Sequence, residues 1–433
     1  MTDRAVNALQ ALVRIPTVSH ADPAQRDDAA LGAFVEEHAR RFPLLHHHLE
    51  RVELPSHALL LRWPGAGDEA PVVLMAHIDV VPVDDDSPWQ HPAYGGDVVD
   101  GVLWGRGTLD DKGQVVAVSE AVEGLLEQDF VPARDVWLSF GTSEEVSGET
   151  AQLAAAELRE RGVAPWFVLD EGGAVAAEAF PGVRPPVAVI GVSEKGTTTL
   201  ELRVDGRGGH ASTPVRKDAT ARLARAIVRL DARPMRSHVP APTRELFRRL
   251  SPHLPRALRP AVGGPLLGRV LAMAGAEPAA MVRTTLAVTT LSGAPAPNVI
   301  ASTARAGINV RVLPGDTVDD VVAHVRRVVR DDAVQVRVVE AGEASPVSPT
   351  DEAFALLGEV VGEVFPDAVV APYVMNQATD ARHFAAVCPR VYRFAPFRMS
   401  QEQRQSIHSY DERIGVDALA EGVRWYRRLI ERL

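Results

Sequence analysis

A mostly parallel α/β domain with helices on both faces, interrupted by an inserted α+β domain, is the fold class that this sequence predicts. Three observations carry it. The chain has 433 residues, more than one hydrophobic core usually organises. Up to residue 195, short β-branched runs alternate with helical periodicity, the pattern of parallel strands joined by covering helices. The style then shifts to longer alternating strands, and the first style returns after residue 342.

In chain order, the candidate strands are Val72–Ala76, Val98–Trp104, Val136–Phe140 and Trp166–Leu169, and the helices among them are Gln114–Glu127 and Thr150–Arg161. The expected insertion covers residues 196–342. There Thr197–Val204, Thr284–Leu291 and Ala306–Val312 alternate as half-buried strands do, and Ala219–Leu230 and Val318–Arg330 carry helical patterns. Residues 343–433, with strand Val391–Phe394 and helix Val416–Leu433, rejoin residues 1–195 in the first domain.

Within the insertion, residues 233–283 read as an Arg- and Pro-rich insert of the small domain. It holds nine arginines and two acids, Glu245 and Glu277. Its apolar residues include Leu246, Phe247, Leu250, Leu254, Leu258, Leu266, Leu267, Val270, Leu271 and Met273. Two readings compete: helices packed on the small domain with arginines in water, or an apolar flap beside a cleft, with lipid-surface contact as a variant.

Composition excludes several function classes. With 46 Lys+Arg against 57 Asp+Glu the formal charge is -11, which argues against nucleic acid as the main partner. Cys388 is the only cysteine, so an intramolecular disulfide and a Cys-based zinc site are both out of reach. The first residues read as a short amphipathic helix rather than a signal peptide. No stretch approaches the ~20 apolar residues of a membrane span, and a cytoplasmic protein is the expectation.

The chemistry lies where acids and histidines fall. His77-Ile78-Asp79 follows the Val72–Ala76 run, and Asp110-Asp111-Lys112-Gly113 comes after Val98–Trp104. Glu144-Glu145 follows Val136–Phe140, and Asp170-Glu171 follows Trp166–Leu169. Ligands of a parallel α/β sheet gather outside the carboxyl ends of its strands. Acids crowded there repel, or shift their pKa values, unless a cation neutralises them, so a metal site is expected. His77 and Asp79 stand two apart on an extended segment and can face the same way, which suits a histidine ligand oriented by a carboxylate. The triplet His46-His47-His48 follows a helix far from these motifs and reads as a surface run.

Taken together, HIDVVP, WGRGTLDDKG, GTSEEVSG, VLDEGG, GRGGHAS, APNVI, NVRVLPG, TDARHF and IHSYDER resemble the zinc aminoacylase/carboxypeptidase family. The likeness is nearest to its carboxypeptidase S and N-fatty-acyl-amino-acid hydrolase branch. The resemblance implies a catalytic first domain and an inserted domain that serves as lid and homodimer contact. It implies two Zn2+ per subunit, with Mn2+ or Co2+ able to substitute, held by His77, Asp110, Glu145, Glu171 and His408. Asp110 would bridge the ions and precede a cis peptide bond to Asp111. Glu144 would be the general base, and Asp79 would orient His77. His210 would reach the partner subunit's catalytic centre, and Asn298 and Arg311 would bind substrate. An arginine suits a substrate carboxylate because it can bind it bidentately. The implied reaction is cleavage of an N-acyl amino acid or of a C-terminal peptide bond. A dipeptidase is the near alternative, and a catalytically silent binding protein the distant one. The second is disfavoured by Glu144, which such a protein would not need.

Overall fold

The computed structural model describes residues 2–84, 88–256 and 259–433. Its centre is a ten-stranded sheet. Three parallel pairings form the middle: Val72–His77 with Val136–Gly141, Val72–His77 with Phe167–Asp170, and Phe167–Asp170 with Val391–Arg393. Antiparallel strands flank them, among them Leu59–Trp63 on one side and the Ala174–Ala176/Val187–Glu194 pair on the other.

Strand residues alternate between the two faces, and both faces are covered. Val72, Leu74 and Ala76 pack into a cluster with Leu9, Val115, Val118, Leu357 and Trp425, from helices Thr2–Val13, Lys112–Leu126, Glu352–Val364 and Val416–Glu431. Val73 and Met75 point the other way, against Ala154 and Leu158 of helix Thr150–Glu160 and Phe384 of the short helix Ala381–Phe384. Such two-sided burial is why these strands read as unbroken apolar runs rather than alternating ones.

A separate antiparallel sheet joins Thr285–Ser292, Thr303–Val312, Gly196–Asp205 and Val334–Glu340 in that order. One face buries Leu200, Leu202, Ile308 and Val310 against helices Ala219–Asp231 and Val318–Val329. The second helix starts from a capping box between Thr317 and Asp320, which satisfies two otherwise free backbone N–H groups.

Two expectations need correcting. Val98–Trp104 is not a strand of the parallel sheet: Asp97–Val99 and Val102–Trp104 form a hairpin that pairs with Arg413–Gly415 in a small sheet of its own. The reason is the turn. Asp100 and Gly101 both take left-handed φ, 51° and 75°, the conformation that an Asp-Gly hairpin connection requires. Most of the Arg-rich insert, for its part, packs on the large sheet, and only its start stays with the small one, through Met235. Its Leu246, Phe247, Leu250, Leu254, Leu267 and Leu271 are buried with Val187 and Ala371 of strands Val187–Glu194 and Val369–Met375. These six are committed to that packing, while Leu266, Val270 and Met273 are exposed; Leu258 lies outside the described residues.

The histidine triplet also differs from expectation. His47 and His48 are exposed, but His46 is half-buried and its Nε2 lies 2.8 Å from Nδ1 of the buried His38. The other nitrogen of His38 lies 2.9 Å from Ser119 Oγ on helix Lys112–Leu126. Burial holds His38 well below its usual value and His46 down to about 4. The unfolded chain, with histidines near 6.5, therefore binds protons first as the medium is acidified. The stabilisation is complete above pH ~6.5 and is lost as pH falls toward 4. The share of stability that these histidines carry is expected to fall between pH 7 and pH 5, so His46→Gln should lose less stability than the original protein over that range in a calorimetric pH series.

No helix among the described residues is long and apolar enough to cross a membrane.

Candidate active site

Local structure explains how the acids arrive at one place. Val72–His77 and Val136–Gly141 run parallel with His77 opposite Gly141, so both strands end at the same level. A Cβ on Gly141 would stand 3.2 Å from Asp380 Oδ2 and 4.0 Å from His77 Cβ, so a side chain here would crowd Asp380. Beyond Gly141 the chain makes a short 3-10 turn, Glu144–Val146, closed by Ser147 in the left-handed conformation. That turn presents Glu144 and Glu145. Asp110 comes from the loop between the hairpin and helix Lys112–Leu126, and a cis Asp110–Asp111 bond stands at that helix's start.

The result is a tight group. Donor atoms of His77, Asp110 and Glu145 lie within 4.8 Å of one another, as do those of His77, Glu144 and Glu171. His77 Nε2 is 2.9 Å from Asp110 Oδ1. His408 Nε2 is 2.9 Å from Asp110 Oδ2 and 3.0 Å from Glu145 Oε2. Six of the residues expected at the site, His77, Asp110, Glu144, Glu145, Glu171 and His408, are thus assembled from segments far apart in the chain.

Asp79 stands just behind them, and its carboxylate bonds more than the expected partner, His77. His77 Nδ1 is 2.9 Å from the backbone carbonyl of Asp79 and 3.6 Å from its carboxylate. The carboxylate instead accepts the backbone N–H of Glu144 at 3.2 Å and of Glu145 at 3.1 Å. Ser19 Oγ donates to the same carboxylate.

The electrostatics suit a cation. Burial, and after it the charges of Asp380, Asp110 and Glu145, push the Glu144 carboxyl well above its usual range against the pull of His77. Burial and the acids Asp110 and Asp111 do the same to Glu171. His408 is raised to about 10 by hydrogen bonds to Asp110 and Glu145. For His77, burial is outweighed by its bonds to Asp110 and Asp79, which hold the imidazolium well above its usual value. The acids thus favour positive charge at both histidines, and among the described residues a buried oxygen of Glu145 has no hydrogen-bond partner. Imidazole and carboxylate donors in this mixture fit a borderline divalent ion such as zinc.

The three small-domain residues are not joined to this group within one subunit. His210 is exposed, and its Nδ1 bonds Ser212 Oγ at 2.6 Å. Asn298 is its neighbour: Ala211 N donates to Asn298 O at 3.0 Å, and His210 pairs with Val299 across two short strands. Arg311 is half-buried, with Nη1 2.6 Å from Thr197 Oγ1. Among the described residues, none of these hydrogen bonds reaches the acid cluster.

A family model described as peptidase family M20/M25/M40 matches residues 73–432. The chain belongs to this family. It is a hydrolytic enzyme of the M20 metallopeptidases, and the branch expected from the motifs is found among its relatives. It is 35% identical over 90% of its length to a probable carboxypeptidase S-like 2 of Dictyostelium discoideum, covering 77% of that protein. It is 35% identical over 98% of its length to an N-fatty-acyl-amino acid synthase/hydrolase of Xenopus tropicalis, covering 85% of that protein. Among solved structures, an M20 family metallo-carboxypeptidase of Sulfolobus solfataricus shares the fold, with TM-score 0.74 and 17% identity over 99% of this chain and 98% of that one.

Several supporting residues were not singled out from the sequence. Glu412 lay inside the quoted IHSYDER and could have been found there. It is fully buried, pairs with Arg106 at 2.6 Å, and accepts the N–H groups of Leu109 and Asp110 at 2.8 and 3.1 Å. Asp380, within TDARHF, is buried beside Gly141. Ser19 stands sixty residues from its partner Asp79, and no spacing rule points to it.

Proposed function

We propose that this enzyme hydrolyses the amide bond of N-acyl amino acids, or the C-terminal peptide bond of small peptides, at a site for two zinc ions. His77, Asp110 and Glu171 would hold one ion and Asp110, Glu145 and His408 the other, with Asp110 shared. When bound, the ions supply Lewis-acid polarisation of the scissile carbonyl and a lowered pKa for the attacking water. The observation that carries the reading is the placement of Glu144. Its side chain stands within the donor cluster, and its backbone is pinned by Asp79. A carboxylate so held can take a proton from the attacking water and return it to the amine as the C–N bond breaks and the C–O bond forms. The likeness to a carboxypeptidase S-like protein and an N-fatty-acyl-amino acid synthase/hydrolase supports these substrate classes. Arg311, a half-buried cation hydrogen-bonded to a neutral threonine, suits the free carboxylate that both classes share.

Metal analysis with a panel of N-acyl amino acids and dipeptides, before and after a chelator, tests this reading. Turnover of N-acyl amino acids that vanishes with the chelator and returns with Zn2+ is expected. Activity indifferent to chelation would overturn it.

His210 would serve the site of a second subunit, in a homodimer formed through the inserted domain. Its exposed position beside Asn298 supports that role. Mixing inactive Glu144→Gln and His210→Ala subunits should restore partial activity, and mixed dimers without rescue would refute it.

A further inference from the structure

The segment Leu12–Ser19 runs directly under the site and is fastened to it at several points. Lys112 Nζ, on the helix that follows Asp111, donates to Leu12 O at 3.1 Å and Ile15 O at 2.7 Å. Thr17 Oγ1 donates to Ile78 O at 2.7 Å. Ser19 N donates to Val80 O and Val80 N to Thr17 O, each at 3.0 Å. Three of these bonds lay the segment beside Ile78–Val80. The last group it offers is the Ser19 hydroxyl, buried and donated to the buried Asp79 carboxylate.

We propose that Ser19 is a positioning residue for the hydrolytic reaction, acting through Asp79 on the Glu144–Glu145 turn. An aspartate carboxylate rotates about its last torsion, a broad and weakly restrained one. To accept both the Glu144 and Glu145 N–H groups, one through each oxygen, it must stop at one angle. Ser19 sets that angle by binding the oxygen that also receives Glu145 N–H. The turn so held carries two neighbouring side chains with different duties, proton transfer at Glu144 and ion binding at Glu145. A small rotation of the turn would spoil both. Residues that orient groups around a metal in this way typically change affinity or activity by ~10–100-fold when removed. Ser19 lies before the matched family region, residues 73–432.

The inference rests on the assignment of Glu144 as base, and the test separates the two. In the metal-loaded enzyme, Ser19→Ala should lower kcat by ~10–100-fold with little change in KM, the mark of a contribution confined to the transition state. A competition titration of metal-stripped protein against a chromophoric chelator should show weakened Zn2+ binding in the same variant. Ser19→Thr keeps the hydroxyl and should recover most of both quantities. Thr17→Val, which loosens the same segment but leaves Ser19 and Asp79 in contact, should recover them too. An unchanged kcat in Ser19→Ala, an equal loss in Ser19→Thr, or an equal loss in Thr17→Val would each overturn the proposal. Glu144→Gln measured alongside shows whether the base assignment itself has failed.

Discussion

Glu144→Gln is expected to keep its metal content and lose turnover by ~10²–10⁴-fold, the usual contribution of a positioned general acid–base. The substitution preserves size and shape, and removes only the ability to accept and return a proton. In the proposed ligand set Glu144 donates to neither ion, so equilibrium Zn2+ binding should stay close to that of the unaltered enzyme. Glu145→Gln gives the contrast: it should lose metal affinity first and activity as a consequence. Metal analysis and steady-state kinetics on the two variants decide the assignment. A Glu144→Gln enzyme that sheds its metals, or turns over at a substantial rate, would show that the two adjacent glutamates have been given each other's roles.

The second large effect is structural. Arg106 and Glu412 form a fully buried ion pair, and Glu412 also accepts two N–H groups of the loop that delivers Asp110. Removing one member of such a pair leaves the other charged and uncompensated, which typically costs ~3–5 kcal/mol. Glu412→Gln is therefore expected to lower stability by about that amount, read from denaturant midpoints. Replacing Arg106 by Met and Glu412 by Gln together should cost much less than the two single changes added, because no unpaired charge is left. A Glu412→Gln protein as stable as the original would show that the loop is held by other means.

Much of this was legible in the sequence, for identifiable reasons. The parallel strands are buried on both faces, so Val72–Ala76 and Val136–Phe140 stand out as apolar runs, and the acids that end them sit at the sheet's edge. The hairpin at Asp97–Trp104 was misread because apolar continuity was followed across Asp100-Gly101, where turn chemistry should have broken it. The insert reads as part of the small domain because it lies inside that stretch of sequence, whereas its buried leucines pack against Val187–Glu194 and Val369–Met375. Ser19 illustrates a deeper limit: a hydrogen bond between residues 19 and 79 leaves no periodic trace, since neither helix nor strand spacing relates its ends.

The position of Val391–Arg393 has a consequence for how the molecule is made. That strand lies in the sheet between Phe167–Asp170 and Val187–Glu194, and His408 and Glu412 follow it in the chain. A ribosome adding 5–20 residues per second takes about 10–40 s to travel from Asp170 to Val391. Throughout that interval the nascent sheet has a vacant slot at its middle, and the acids Asp110, Glu145 and Glu171 exist without the second histidine. The group of acids and histidines described above is therefore complete only once translation has passed residue 408.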